Sequence, residues 1–219
     1  MAKTKNPSIH PEHKNYLINF YQQLAQDLLN KKISVKQFAQ KLSQTHLELE
    51  DLADYDTLIP NFYNYRGFQK ILHQTLQTLQ THQISGSLLI LDVDQLKRFN
   101  DTFGHLAGNK LVQIYAEVIE KNTKKGDLKA RLGGDEFTVF ILGASLREAL
   151  LVGERIRKEV IVAIKNSFPN LEWEQTISIG ISESNSSSDE ISLLQQADLA
   201  LYQAKQDRNK TVIFSHPKI

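Results

Sequence analysis

Arg131-Leu132-Gly133-Gly134-Asp135-Glu136-Phe137 is the stretch on which the reading of this chain turns. A mixed run precedes it (Leu128, Ala130, Leu132) and an apolar one follows (Val139, Phe140, Ile141, Leu142), so two strands are expected to meet at a turn carrying two glycines and two carboxylates. Glycine tolerates positive φ and leaves backbone open to a close ligand. Acidic side chains at a hairpin tip can hold a hard cation, whose natural partners are phosphate oxygens. A Gly-Gly-Asp turn by itself is usually only a turn, so the weight falls on what surrounds it.

Upstream, Ser87 to Asp94 is a continuous apolar run that ends in two carboxylates, Asp92 and Asp94, the pattern of a strand buried on both faces. Asp92 and Asp94 are expected to project to opposite sides, so that only one joins Asp135, and Asp94 is read as the N-cap of a short helix from Gln95 to Phe103. Gly104-His105 then turns into a longer helix, Leu106 to Asn122. Further upstream, Phe68, Ile71, Leu72, Leu76 and Leu79 mark a helix from Tyr65 to His82, reached through a Pro60-containing junction at 51–64. Downstream, Ser145 and Glu148 form a capping box for a helix to Phe168. Trp173 to Glu183 alternates as a strand, with Gly180 marking a close backbone approach; Ser184 to Ser188 is a polar loop, and a helix from Asp189 to about Gln206 leads to a last strand, Thr211 to Phe214.

The N-terminal region differs. Tyr16, Leu17, Phe20, Tyr21, Leu24, Leu28 and Leu29 recur at helical spacing, followed by Val35, Phe38, Ala39, Leu42, Leu47 and Leu49 with Ser34 as N-cap. An αα-hairpin over residues 1–52 is too small to bury both apolar faces alone, and a dimerising or structural role is preferred to ligand sensing. The rest, 53–219, reads as one domain.

With 41% hydrophobic residues, the 219-residue chain can form a proper core, and a net charge of +1 gives no general attraction to nucleic acid or anionic membrane. The absence of cysteine excludes disulfides and thiolate metal sites and fits a reducing compartment. No apolar leader or membrane-length run is present, so a cytoplasmic protein is expected. A zinc site is a poor reading, since the seven histidines are scattered and His10 with His13 is an isolated pair.

Three separated motifs resemble the GGDEF family, the diguanylate cyclases, over roughly residues 56–216. The first is the Arg131–Phe137 heptapeptide. The second is Lys97-Arg98-Phe99-Asn100-Asp101-Thr102-Phe103-Gly104-His105-Leu106-Ala107-Gly108-Asn109, and the third is Ala197-Asp198-Leu199-Ala200-Leu201-Tyr202-Gln203-Ala204-Lys205. The resemblance implies an α+β palm-like domain of the cyclase and polymerase kind, a mainly antiparallel sheet flanked by helices, with helices expected on one face. It further implies Asp92, the Val93 carbonyl, Asp135 and Glu136 as ligands of Mg²⁺ or Mn²⁺, with Glu136 either a second-metal ligand or the base for the attacking hydroxyl. Asp135, Glu136 and Lys205 would be catalytic. Lys97, Asn100, His105, Asn109, Gly133, Gly134 and Arg208 would bind GTP, and two GTP held by facing domains of a homodimer would become cyclic di-GMP.

The chain departs from the family pattern at informative places. Asn64, Arg66 and Phe68 match the end of the family's Asp-x-Leu-Thr-Gly-Leu-x-Asn-Arg-Arg-x-Phe segment, but Ile59-Pro60-Asn61-Phe62 replaces Leu-Thr-Gly-Leu. Asn109 replaces an Asp that reads guanine together with the residue matching Asn100. An Asp accepts both guanine donors, whereas an Asn amide offers one acceptor and one donor. Lys124 and Asp127 stand where many members carry the Arg-x-x-Asp inhibitory site; ammonium lacks the guanidinium fork, and a solvated loop is the preferred reading. Gln206-Asp207-Arg208-Asn209 is one residue shorter than the usual continuation and lacks its Gly. These departures keep open a rival reading, a non-catalytic nucleotide-binding or interaction module, and a variant one, a cyclase making mixed cyclic dinucleotides.

Overall fold

The computed structural model describes residues 19, 22–52, 54–184 and 189–215. Tyr16, Leu17, Phe20, Tyr21, His10 and His13 lie outside the described residues, as do 185–188 of the expected polar loop. The chain divides into two compact units, Met1–Ala53 and Asp54–Ile219. No described helix is long and apolar enough to cross a membrane.

In the first unit, helix α1 covers 22–29 and α2 spans Val35–Leu52. Ser34 caps α2 as expected: its Oγ accepts the Gln37 N–H at 3.2 Å while Gln37 Oε1 accepts the Ser34 N–H at 2.8 Å. Leu24 is buried, whereas Leu29 and Val35 are exposed.

The second unit contains α3 (Tyr65–His82), β1 (Gly86–Val93), α4 (Leu96–Phe103), α5 (His105–Asn122), β2 (Leu128–Arg131), β3 (Glu136–Leu142), α6 (Leu146–Ser167), β4 (Ile177–Ser184), α7 (Glu190–Asp207) and β5 (Thr211–Ile213). One five-stranded sheet runs in the order β2-β3-β1-β4-β5, antiparallel throughout except for the parallel β4–β5 edge pair. The apolar run of β1 places it at the centre. Leu89, Leu91 and Val93 pack with residues of α4, α5 and α6, while Leu88 and Ile90 pack with residues of α3 and α7. Helices therefore cover both faces, not one, as a strand with no polar side requires.

Other expectations need adjustment. The fourth strand begins at Ile177: Trp173 lies before it, tilted against Phe103 at 5.9 Å, under the Arg98 guanidinium at 4.2 Å, and donating to Gln175 Oε1. The alternation from Trp173 thus continues a strand pattern through residues that pack as an aromatic cluster. Ser184 belongs to β4, and β5 ends at Ile213. The Ser145–Glu148 capping box is present. At Gly180 a Cβ would lie 2.2 Å from both the Ala197 carbonyl oxygen and the Leu201 nitrogen, so α7 sits directly on β4.

The junction is structural. Asn64 caps α3 by accepting the Gly67 N–H at 3.1 Å, Phe68 is in the core, and Ile59 and Phe62 are buried where the family pattern has Leu-Thr-Gly-Leu. Asp54, itself buried, pairs with Arg66 at 2.8 Å and Lys70 at 3.0 Å. Burial pushes the Asp54 carboxyl up, but Arg66 and Lys70 outweigh it and hold the group below its ordinary range. A depressed carboxyl stabilises the fold above its unfolded pKa and loses that contribution as pH falls through the folded value. Asp54→Asn is expected to cost about 1 kcal/mol at neutral pH, discounted for the two exposed cations; the difference from wild type in urea denaturation should vanish on acidification.

Candidate active site

The end of β1 and the start of β3 bring the acidic residues together. Asp92 lies opposite Glu136 on β3 and opposite Ser178 on β4, so these side chains share the face covered by α7. The turn carrying Asp135 is tied to the same place, because the Asp135 carbonyl accepts the Val93 N–H at 2.9 Å. From α7, Lys205 Nζ donates to Asp92 Oδ1, to the Asp92 carbonyl at 3.3 Å and to Asp94 Oδ1 at 2.9 Å.

Asp94 corrects two expectations. Residues two apart in extended chain share a face, and Lys205 reaches both Asp92 and Asp94. Nor does Asp94 cap α4, whose N-cap is Gln95 in a left-handed conformation with no side-chain cap bond. Its carboxylate is 1% exposed and accepts from Thr176 Oγ1 at 2.7 Å, Ser178 Oγ at 2.9 Å and the Asn209 N–H at 3.1 Å as well as from Lys205. Burial opposes its ionisation, but Lys205, Thr176 and Asn209 outweigh that and hold it below the usual carboxylate range. Asp92 goes the other way. Burial pushes it up, Lys205 offsets this only in part, and the charges of Asp135 and Asp94 add to the rise. Glu136 is also raised, first by burial and then by Asp92, Asp198 and Asp135, all negative.

Gly133 and Gly134 are exposed and neither has a positive φ, contrary to the expectation that the turn uses glycine's left-handed freedom. A Cβ at either would meet no protein atom within 4 Å. Arg131 secures the turn from behind, donating to the Gly134 carbonyl at 2.9 Å and pairing with Asp56 at 3.4 Å.

A second group lies at the α4–α5 corner. Gly104, at φ 81°, breaks the two helices apart, and Lys97, His105 and Asn109 are exposed around it. Asn100 lies across the first turn of α5: a Cβ on Gly108 would fall 1.7 Å from Asn100 Oδ1. That oxygen is buried with no hydrogen-bond partner among the described residues.

Of the two positions that match the family's inhibitory site, Lys124 is exposed and takes part through its backbone N–H. Asp127 is buried, accepting the Lys124 N–H at 2.7 Å and the Leu142 N–H at 3.3 Å, so the solvated-loop reading is also corrected at this residue.

The family described as "Diguanylate cyclase, GGDEF domain" matches residues 53–211. The chain belongs to the GGDEF family. Diguanylate cyclase A of Treponema denticola is 38% identical over 130 residues, 59% of this chain and 35% of that protein. DgcM of Escherichia coli, a diguanylate cyclase, is 35% identical over 169 residues, 76% of this chain and 39% of that protein. The chain thus spans well under half the length of these curated relatives. Among solved structures, the coiled coil and GGDEF domain of DgcB from Caulobacter crescentus, in complex with c-di-GMP, has a TM-score of 0.72 at 26% identity, covering 87% of this chain and 98% of that one.

Within this GGDEF domain, Asp94, Thr176, Ser178, Asn209 and Asp198 belong to the site's surroundings although sequence reasoning gave them no such role. A signal existed for part of it: Thr176, Ser178 and Gly180 alternate with buried isoleucines and mark the α7-facing side of β4. Because Lys205 is the cation shared by a buried and a half-buried carboxylate, Lys205→Met is expected to destabilise the fold by about 3 kcal/mol. Urea denaturation at neutral pH checks this. The deficit should shrink on acidification as wild type loses the Asp94 contribution.

Proposed function

We propose that this chain is a diguanylate cyclase that joins two GTP into cyclic di-GMP, each 3′-hydroxyl attacking the α-phosphate of the other nucleotide with loss of pyrophosphate. The observation that carries the reading is the juxtaposition of Asp92 and Glu136 with Lys205 on one sheet face, with Asp135 in the adjoining turn tied to Val93 through its carbonyl, beside two glycines with open space around them. The family match over residues 53–211 and the cyclases similar to this chain support the same reading.

The donor set fits Mg²⁺ or Mn²⁺: carboxylate and carbonyl oxygens only, with Asp92 and Glu136 raised first by burial and then by their acidic neighbours. Among the described residues no group of three or more His, Asp or Glu is already arranged to hold a metal ion; Lys205 occupies Asp92 instead. Asp92, the Val93 carbonyl, Asp135 and Glu136 would hold the ion, which when bound would neutralise charge on the triphosphate. Lys205 and Arg208 would meet the polyphosphate, and Glu136, with its raised pKa, is suited either to the metal or to the proton of the attacking hydroxyl. The unpartnered Asn100 oxygen would accept a guanine N–H.

One nucleotide per domain makes half of the reaction, so the active form would be a homodimer, with residues 1–52 raising the encounter frequency. Deleting them should lower activity more at low protein concentration than at high; equal loss at all concentrations would remove the dimerising role.

Asn109 favours a second reading, relaxed or shifted base choice, since its amide matches adenine's N1 and N6 pattern better than an Asp does. A hydrogen bond lost or reversed at guanine is worth about 1–3 kcal/mol. Incubation with Mg²⁺ and labelled GTP, ATP or an equimolar mixture tests both readings, with Asp135→Ala as control. Cyclic di-GMP from wild type and none from the variant is the expected result. Mixed products would establish the altered selectivity, and nucleotide binding without turnover would favour a non-catalytic module.

A further inference from the structure

The two residues after α7 are strained. Arg208 and Asn209 have φ of 57° and 45°, and Arg208, with ψ 174°, occupies a region almost reserved for glycine. A non-glycine residue in such a conformation persists only where its surroundings over-determine it. Here the Arg208 N–H closes the helix on the Ala204 carbonyl at 2.9 Å, the Asn209 N–H reaches Asp94 at 3.1 Å, and the Lys210 carbonyl accepts the Ile179 N–H at 2.9 Å.

A side chain from α6 completes the hold. Arg157 gives Nε and Nη2 to the two Glu154 oxygens at 3.0 and 2.8 Å, which fixes its fork, and donates Nη1 to Asn209 Oδ1 at 2.8 Å. Contacts then run without a gap from Arg157 through Asn209 and Asp94 to Lys205. We propose that Arg157 is a positioning residue: its grip on Asn209 keeps the strained turn in place and thereby aims Arg208 and Lys205 Nζ at the polyphosphate of the substrate. This deepens the cyclase reading and rests on it. Arg157 itself does not meet the nucleotide; the strain sits at Arg208, which is not a glycine, so the contacts on either side of it must hold that backbone.

Wild type, Arg157→Gln, Asn209→Gly and the double variant test it with two readouts. Hydrogen exchange of the peptide spanning 205–210 reports the turn, and the Kd of a non-hydrolysable GTP analogue with Mg²⁺ reports its aim. Glycine at 209 keeps the backbone conformation accessible while deleting the oxygen that Arg157 grips, so this variant serves even if Arg157→Gln folds poorly. Each single change should speed exchange and raise the Kd about tenfold, the loss of one charge-assisted hydrogen bond. The double variant should match the singles because all break the same contact. Unchanged exchange in Arg157→Gln, multiplied effects in the double variant, or a lowered denaturation midpoint with unmoved Kd would each overturn the inference. A wild-type chain that does not bind the analogue removes the cyclase reading and the aim of the turn with it, while the exchange result still decides whether Arg157 holds the turn.

Discussion

The Lys205 ammonium is shared between two carboxylates of unequal exposure, and the organisation of the site depends on that inequality. Asp94 is almost wholly buried and surrounded by donors, so it remains ionised despite burial. Asp92 is partly open, and Lys205 only partly offsets the burial and acidic neighbours that raise it. One side of the ammonium is thus anchored in the fold while the other faces the acidic cluster. Removing such a cation would strand a buried charge, which costs far more than an exposed pair contributes.

That anchoring needs α7 close to the sheet. Gly180 supplies the proximity, since no side chain fits between β4 and the Ala197–Leu201 turn of α7. Lys205 follows one turn later on the same helix. The carboxylates are brought opposite one another by the antiparallel register of β1 and β3, which pairs Asp92 with Glu136. Packing on both faces of β1 then holds the register, because a one-residue slip would turn Leu88 and Ile90 out of one core and Leu89 and Leu91 out of the other. Core and site therefore depend on the same alignment.

Much of this was legible locally. Helical periodicity located α3 to its ends, capping chemistry located the start of α6, and the apolar run of β1 declared a strand with no solvent side. Asp94 was misread because a carboxylate before a helix is usually a cap, and nothing nearby in sequence announces that Thr176, Ser178, Lys205 and Asn209 converge on it. Trp173 extended an alternating pattern whose first residues pack in an aromatic cluster instead of pairing. Asp127, expected in a solvated loop, is buried because both its oxygens satisfy backbone N–H groups, one of them from the distant Leu142.

By itself the sequence determined the elements, the order in which they occur, and the residue types able to handle metal and phosphate, because these follow from short-range periodicity, turn chemistry and contiguous motifs. Tertiary structure alone decided which carboxylate is open and which is buried, that helices cover both sheet faces, and that Arg157 reaches the end of α7. Those are matters of distance between segments 50 to more than 100 residues apart. Burial, the quantity that separates Asp92 from Asp94, exists only once such segments have packed.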